Sequence, residues 1–422
     1  MLYGARQVGK TYILKEFGRK EFKNLLYINC YKNPEIEQIF SKDVNIHRIL
    51  RELSAFMETP IIPEDTFIFF DEAQEIPDIV ASLKYFNENA PEYFVAVAGS
   101  LLGVMNLEGI SFPTGNVDIL HLYPMTFSEF LLAMGNEKKY ELLHAPDTIS
   151  EINTLSGSFT ELLRQYYFVG GMPAAVKAYS NGENIETIRK IHNAILEAYE
   201  GDIAKHAGRD AVKARMVLKS IPGQLARENK KFIYGALKSG ARASQYENAI
   251  QWLIDAGIIY KVCRATKAGI PLSFYINRET FKLYILDVGL LGAMAKAPAA
   301  QILVGDSIFA EYKGAFTENY VLEQLVTIPN LEISYYTKND STVEIDFLVQ
   351  DEERLLPIEV KAEENVKSKS LRQFVTKDNE GSGMKGLRLS MKGFIDQGWM
   401  TNIPLYAVVP WALRRWDVSN PG

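Results

Sequence analysis

The sequence predicts an α/β protein: a parallel sheet wrapped by helices occupies the first third, and smaller modules follow it. Three observations predict this. Short apolar, β-rich runs alternate with helical stretches over about 130 residues, the pattern of βαβ units. A glycine- and lysine-bearing loop, Gly4 to Thr11, opens directly into one of those helices. Two of the apolar runs end in polar residues, Asp71 with Glu72 and Ser100, as buried strands do where a parallel sheet presents its carboxyl edge.

The loop comes first. Gly4, Ala5, Arg6, Gln7, Val8, Gly9, Lys10 and Thr11 match G-x-x-x-x-G-K-[ST] in full. The two glycines let the backbone curl until several N–H groups point inward at phosphate oxygens. Lys10 reaches the β- and γ-phosphates, the Thr11 hydroxyl ligates Mg²⁺, and the helix "TYILKEF" turns its positive end toward the anion. The run "TFIFFDEAQEIP" supplies the answering acids. Asp71 at a strand tip is placed to hold the Mg²⁺ of the nucleotide, and Glu72 to orient or deprotonate the attacking water. Tyr93 to Ala98 is a further strand, which brings Ser100 near the γ-phosphate; Asn24–Asn29 and Val117–Leu122 complete the set. ATP and Mg²⁺ are therefore the expected cofactors. A strand of about five residues should lead into such a loop, but only Met1, Leu2 and Tyr3 precede Gly4, so the leading strand is expected to be truncated.

Behind this domain (1–135), residues 136–215 turn helical, with Pro173 starting a new helix after Gly170 and Gly171. Residues 216–300 give two short helices, "RMVLKSIPGQLA" and "KKFIYGALKS", then a third with Tyr246, Ile250, Leu253 and Ile254 at helical spacing and Gly257 as its stop. A hairpin from Ile258 to about Phe274 follows, so the stretch predicts a winged helix. Ser244, Gln245 and Asn248 would face a groove, with Arg227, Lys230, Lys231 and Lys267 on phosphates. DNA and protein both remain open as its ligand, because the third helix carries little positive charge.

The last stretch, 301–422, contains three runs, "LEISYYTK", "VEIDFLVQ" and "LLPIEVKA", separated by "KNDS" and "DEER", which predict a β-meander. Residues two apart on a strand share a face, so Glu359 projects with Lys361, and Asp346 joins them from the neighbouring strand. Glu318 sits upstream on a helix. Carboxylates on one face suit a hard divalent cation. Asp346 and Glu359 would ligate a second Mg²⁺, with Lys361 polarising the attacking water. The alternative is a plain ion pair on a strand face.

Composition bounds the rest. The 422 residues have an ordinary globular make-up and a net charge of −6, so the whole chain is no polycation. From Lys177 to Arg242 there are nonetheless 13 Lys/Arg against 7 Asp/Glu. Cys30 and Cys263 are too few and too far apart for a disulfide framework or zinc spacing. No apolar run is long enough to span a membrane and no signal-peptide pattern opens the chain, so the expected location is cytoplasmic.

The ordered motifs "GARQVGKTY", "FIFFDEAQEIP", "AGSLLG", "LYPMTFSEFL", "GGMPAAV", "IPGQLARENKKF", "FKLYILDVGLL" and "IEVKA" resemble a family of prokaryotic AAA-type ATP-binding proteins. The resemblance runs from about residue 3 to 410. It implies a P-loop NTPase sheet with a helical subdomain, a winged helix, and a C-terminal α/β restriction-endonuclease-like domain of PD-(D/E)XK type, onto which Glu318, Asp346, Glu359 and Lys361 map. The family often has a basic residue where this chain has Asn116 after Gly115. Since a charge-neutralising arginine can speed phosphoryl transfer by about 10³–10⁵, Asn116 implies slow hydrolysis unless another basic residue substitutes. The leading expectation is an ATP hydrolase coupled to DNA binding. The alternatives are an ATP-gated metal-dependent endonuclease and a non-enzymatic scaffold in which ATP drives homo-oligomer formation.

Overall fold

Thr66 to Asp71 is buried along its whole length, and the first sheet is built around it in the computed structural model. The structure describes residues 1–104, 115–145, 149–304, 310–338, 343–362 and 368–416. They pack as two units: Met1–Tyr123 together with Asp255–Ile258, and the remainder of the described chain.

In the first unit five strands, β1 (Leu2–Tyr3), β2 (Asn24–Asn29), β3 (Thr66–Asp71), β4 (Phe94–Ala98) and β5 (Leu120–His121), lie in the order β2-β3-β4-β1-β5 with parallel pairings. Alternation along β3 sends Ile68 and Phe70 into the core on one face, and Phe67 and Phe69 into the core on the other. Each such buried phenylalanine contributes about 1.5–3 kcal/mol of hydrophobic stabilisation, which suits a strand inside the sheet, flanked by β2 and β4. The leading strand β1 has two residues and sits inside the sheet, Leu2 pairing with Ala98 on one side and Leu120 on the other. Helices Lys10–Glu21, Pro34–Ser41, Ile46–Phe56 and Pro77–Asn89 cover the sheet. The strand expected at Val117–Leu122 is shorter, Leu120–His121.

Among the described residues from Phe127 to Leu225 the second unit is built of helices; Pro173 opens the helix Pro173–Ser180 and "RMVLKSIPGQL" lies within one helix, Ala211–Leu225. The expected helix over "KKFIYGALKS" does not form. Phe232 N–H bonds to the Phe281 carbonyl at 2.9 Å and its ring stacks on Phe281, so tertiary pairing overrides local propensity and leaves a single turn, Tyr234–Ala236. The helix Ala243–Asp255 buries Tyr246, Ala249, Ile250 and Leu253.

After it come β6 (Ile259–Ala265), β7 (Ile276–Ile285), β8 (Glu332–Thr337), β9 (Glu344–Asp351), β10 (Arg354–Val360), β11 (Gly386–Ser390), β12 (Ile395–Asp396) and β13 (Met400–Pro404). All eight share one sheet, ordered β12-β13-β11-β10-β9-β8-β6-β7. The hairpin β6–β7 is thus built into the sheet that holds the meander, through a parallel β6–β8 pairing. The "DEER" turn falls between β9 and β10, whereas 339–342, most of the "KNDS" turn, lie outside the described residues.

Several motif residues of this unit are structural. Asn319 bonds both backbone groups of Ile285 at 3.0 Å, standing in for a neighbouring strand. Asp287, fully buried, accepts from Gly171 N–H at 2.5 Å and Leu290 N–H at 2.9 Å, capping the helix Val288–Met294. Gly170 has φ 72°, and a Cβ there would overlap the Asp287 carboxylate. Gln324 accepts from Phe127 N–H at 2.9 Å and donates to the Tyr166 hydroxyl at 3.2 Å, while that hydroxyl donates to the Met125 carbonyl at 2.6 Å.

Candidate functional site

The loop from Gly4 to Thr11 leaves β1 at the carboxyl edge of the first sheet and enters the helix Lys10–Glu21. Ala5 and Val8 anchor it in the core at 3% exposure each, which leaves Arg6 and Gln7 exposed at its tip. Gly4 has φ 150°, a backbone state that L side chains avoid, and a Cβ there would overlap the Leu122 carbonyl oxygen. Gly9 (φ 102°) and Gln7 (φ 68°) also take positive values, so the curl requires the loop glycines. Lys10 lies curled into this cradle, its Nζ donating to the Gly4 and Ala5 carbonyls at 2.8 Å each. Burial pushes its ammonium down to about 8, with Glu72 and Asp71 acting the other way.

At the tip of β3, Asp71 Oδ2 accepts from the Thr11 hydroxyl at 2.8 Å and from the Tyr27 hydroxyl at 3.1 Å. Burial, then the Asp71 charge and hydrogen bond, hold the Tyr27 phenol up at about 12, so it stays a donor. Glu72 adopts a left-handed conformation (φ 52°), which costs of order 1 kcal/mol in a non-glycine residue. Its N–H donates to Asp71 Oδ1 at 3.2 Å, and its carboxylate accepts from Gln74 Nε2 at 2.7 Å and from the Ser100 hydroxyl at 3.4 Å. Lys10, Thr11, Asp71, Glu72 and Ser100 are thereby brought together. Tyr27 and Gln74 escaped the sequence reading; the Gln two residues after Glu72 was the available signal. Phosphate-facing backbone, one ammonium and two hard oxygens 2.8 Å apart fit a nucleotide's phosphates and a divalent cation.

Asn116 is not part of this cluster. Its Oδ1 accepts from Asn87 at 2.9 Å, and with Met1, Tyr93 and Phe94 it lines a cavity at the strand starts, the sheet edge opposite Asp71. A basic residue there would lie away from the phosphates of its own chain. A different segment meets the loop. Gly257 packs on Ala5, a Cβ at 257 falling 3.2 Å from Ala5 N, and the Asp255 carbonyl lies against Gly103, just past Ser100.

Of the second unit's candidates, Ser244, Gln245 and Asn248 are exposed as expected. Lys230 is not free for phosphates, because its ammonium bonds Glu318 Oε1. Glu318, on the helix Ala310–Leu325, is 3% exposed; its Oε2 accepts from the Tyr284 hydroxyl at 3.1 Å and lies 3.8 Å from Lys282 Nζ. Lys282 also pairs with Glu344 at 2.9 Å. Burial alone would raise the Glu318 carboxyl, but Lys230 and Lys282 hold it below the usual range. Asp346 on β9 accepts from Val360 N–H at 2.8 Å, and burial, then the Glu318 charge, lift it to about 7. Glu359 Oε1 pairs with Lys361 at 3.1 Å, while its Oε2 is buried without a partner. Among the described residues no three His, Cys, Asp or Glu side chains group as cation ligands.

Residues 1–131 match the model of an AAA domain. Two further models match, each a domain of unknown function: DUF8612 over 160–301 and DUF4143 over 313–406. An uncharacterized protein of Methanocaldococcus jannaschii is 22% identical over 378 residues, which cover 84% of this chain and 73% of that protein. Among solved structures, the Aeropyrum pernix ORC2 protein in ADPNP–ADP complexes is similar at 13% identity, with a TM-score of 0.33 over 75% of this chain and 87% of that one. The chain therefore carries an AAA-type domain over residues 1–131, the stretch that includes the loop Gly4–Thr11. Among the described residues no helix is long and apolar enough to cross a membrane.

Proposed function

We propose that the AAA domain binds and hydrolyses Mg-ATP, and that its nucleotide state controls a DNA-engaging face on the helix Ala243–Asp255. The observation that carries the reading is the joint placement of Lys10, Thr11, Asp71 and Glu72 at one sheet edge, with Thr11 and Asp71 in direct contact at 2.8 Å. In this reading Lys10 exchanges its two carbonyl acceptors for phosphate oxygens, Thr11 and Asp71 hold Mg²⁺, Glu72 orients the attacking water, and Ser100 and Gln74 position Glu72. Coupling is supported by Asp255–Ile258, which packs in the same unit as the loop and continues directly from the helix bearing Ser244, Gln245 and Asn248.

The test uses a built-in reporter. All four tryptophans (252, 399, 411 and 416) fall in the sequence of the second unit, so a change in their emission reports on that unit. Mg-ATP is expected to change tryptophan emission in the wild type and in Glu72→Gln, but not in Lys10→Ala, and phosphate release is expected only from the wild type. DNA retention should weaken steeply with salt. Phosphate release from Lys10→Ala at the wild-type rate would sink the hydrolysis reading. Absent or salt-insensitive retention would sink the DNA reading and leave a nucleotide-switched scaffold.

A further inference from the structure

Glu318, Asp346, Glu359 and Lys361 have the residue types of a cation-dependent phosphodiesterase, yet protein donors reach every one of the three carboxylates. Both oxygens of Glu318 are taken: Oε1 by the Lys230 ammonium and Oε2 by the Tyr284 hydroxyl at 3.1 Å, with Lys282 Nζ 3.8 Å away. Asp346 accepts from the Val360 backbone at 2.8 Å, in place of a strand-ladder bond. Glu359 is paired with Lys361 at 3.1 Å. Lys282 is the decisive residue: its side chain is 1% exposed and held by Glu318 and Glu344, with the Tyr335 ring 4.8 Å from its ammonium. A side chain buried to that degree cannot step aside into water to admit an ion.

We infer that this cluster is an ion-pair core, in which the Lys230 and Lys282 ammonium groups occupy the Glu318 carboxylate and Lys361 pairs with Glu359, so that it binds no Mg²⁺ or Mn²⁺ and cuts no phosphodiester. The charges support this: four carboxylates (Glu318, Glu344, Asp346 and Glu359) meet four cations (Lys230, Lys282, Lys361 and Arg388), which leaves no net negative charge to attract a dication. The carboxylates serve instead to tie three segments together. Glu318 on its helix pins the 226–233 loop through Lys230, and pins β7 through Lys282 and Tyr284. The inference is independent of the nucleotide reading.

The experiment uses the full chain, free of nucleotide. Mn²⁺ is titrated and free Mn²⁺ followed by electron paramagnetic resonance, while supercoiled plasmid is incubated with protein and Mn²⁺. We expect no Mn²⁺ site that depends on Asp346 and no nicking. A Mn²⁺ lost in Thr11→Ala but kept in Asp346→Asn belongs to the loop and leaves the inference standing. Stoichiometric Mn²⁺ or nicking that disappears in Asp346→Asn overturns it. Stability gives a second readout. Glu318→Gln leaves the Lys230 ammonium without its carboxylate and Lys282 with Glu344 alone, and should lower the tryptophan-reported melting temperature by about 5–10 °C, and adding Lys282→Met should recover part of the loss. An unchanged or raised melting temperature in Glu318→Gln, as expected when a strained catalytic acid is removed, also overturns it.

Discussion

His192 offers a test of the second unit's packing that does not depend on any function. The imidazole is fully buried; its Nε2 lies 2.8 Å from the Val169 carbonyl, and its Nδ1 has no hydrogen-bond partner. With a carbonyl as sole partner, Nε2 carries the proton and the ring is neutral. Burial, with Arg189 nearby, presses its pKa to about 4 despite the Val169 hydrogen bond. The unfolded chain titrates near 6.5, so between these values the unfolded state binds more protons. Stability from this group is therefore fully present above about pH 6.5 and is lost as pH falls toward 4. At pH 4.5 the linkage amounts to about 2.5 kcal/mol, against nearly nothing at pH 7.5. His192→Gln keeps an N–H donor for Val169 and cannot titrate. Urea unfolding followed by tryptophan emission, at pH 7.5 and 4.5, should show the wild type losing about 2.5 kcal/mol relative to the variant, roughly a 1 M shift in midpoint. The raised Asp287 carboxyl is common to both proteins and drops out of the comparison. Curves that move in parallel with pH would refute a buried, neutral His192.

Asp287 itself should behave with the opposite sign. Burial lifts it to about 6, so the folded state holds the proton more tightly; its contribution is full below about pH 4 and fades as pH rises through 6, by about 2–3 kcal/mol. Relative to Asp287→Asn, the wild type should thus gain stability on acidification in the same urea assay. Gly170→Ala forces a Cβ onto the Asp287 carboxylate at a φ of 72° and should cost about 2–4 kcal/mol in the second unit. Gly4→Ala drives the loop off the Leu122 carbonyl, so ATP retention on filters should vanish while the tryptophan-reported midpoint stays put. Tyr27→Phe removes one of two hydroxyls on Asp71 Oδ2. The Mg²⁺ concentration for half-maximal ATP binding should then fall, by up to about tenfold, and an unchanged value would show that Tyr27 does not compete with the cation.

Much of the first unit was legible because its signals are local. Asn24–Asn29 and Thr66–Phe70 were visible as strands since a buried parallel strand is apolar on both faces, and the loop was visible because positive φ values demand glycine. The meander strands β8, β9 and β10 fell where turn residues bounded them, although β11 to β13 did not stand out, their polar residues Arg388, Ser390 and Asn402 being paired with one another inside. The hairpin expected from Ile258 to about Phe274 caught only its first strand, since β7 begins at Ile276, and the pairing of β6 with β8 was not visible either, because Arg264 and Tyr335 are brought side by side only by the fold. The expected helix near Lys231 failed for the same reason: its partner, Phe281, lies far along the chain.

The two carboxylate clusters show why residue types at the right spacing decide less than the charge that faces them. Asp71 and Glu318 are both acids with almost no exposed surface, at 5% and 3%. Asp71 meets hydroxyls from Thr11 and Tyr27, neutral groups that satisfy its lone pairs without cancelling its charge, so the site keeps a use for a cation. Glu318 meets Lys230 and Lys282, whose charges are permanent in that setting because Glu318 comes back at them across a few ångströms and holds both above their usual range. The sequence carried a hint of this. A lysine inside "FKLYIL", an otherwise apolar strand, cannot be buried alone and must bring a carboxylate with it. Spacing within 310–361 picks out the acids, whereas only a lysine dozens of residues earlier determines what those acids can bind.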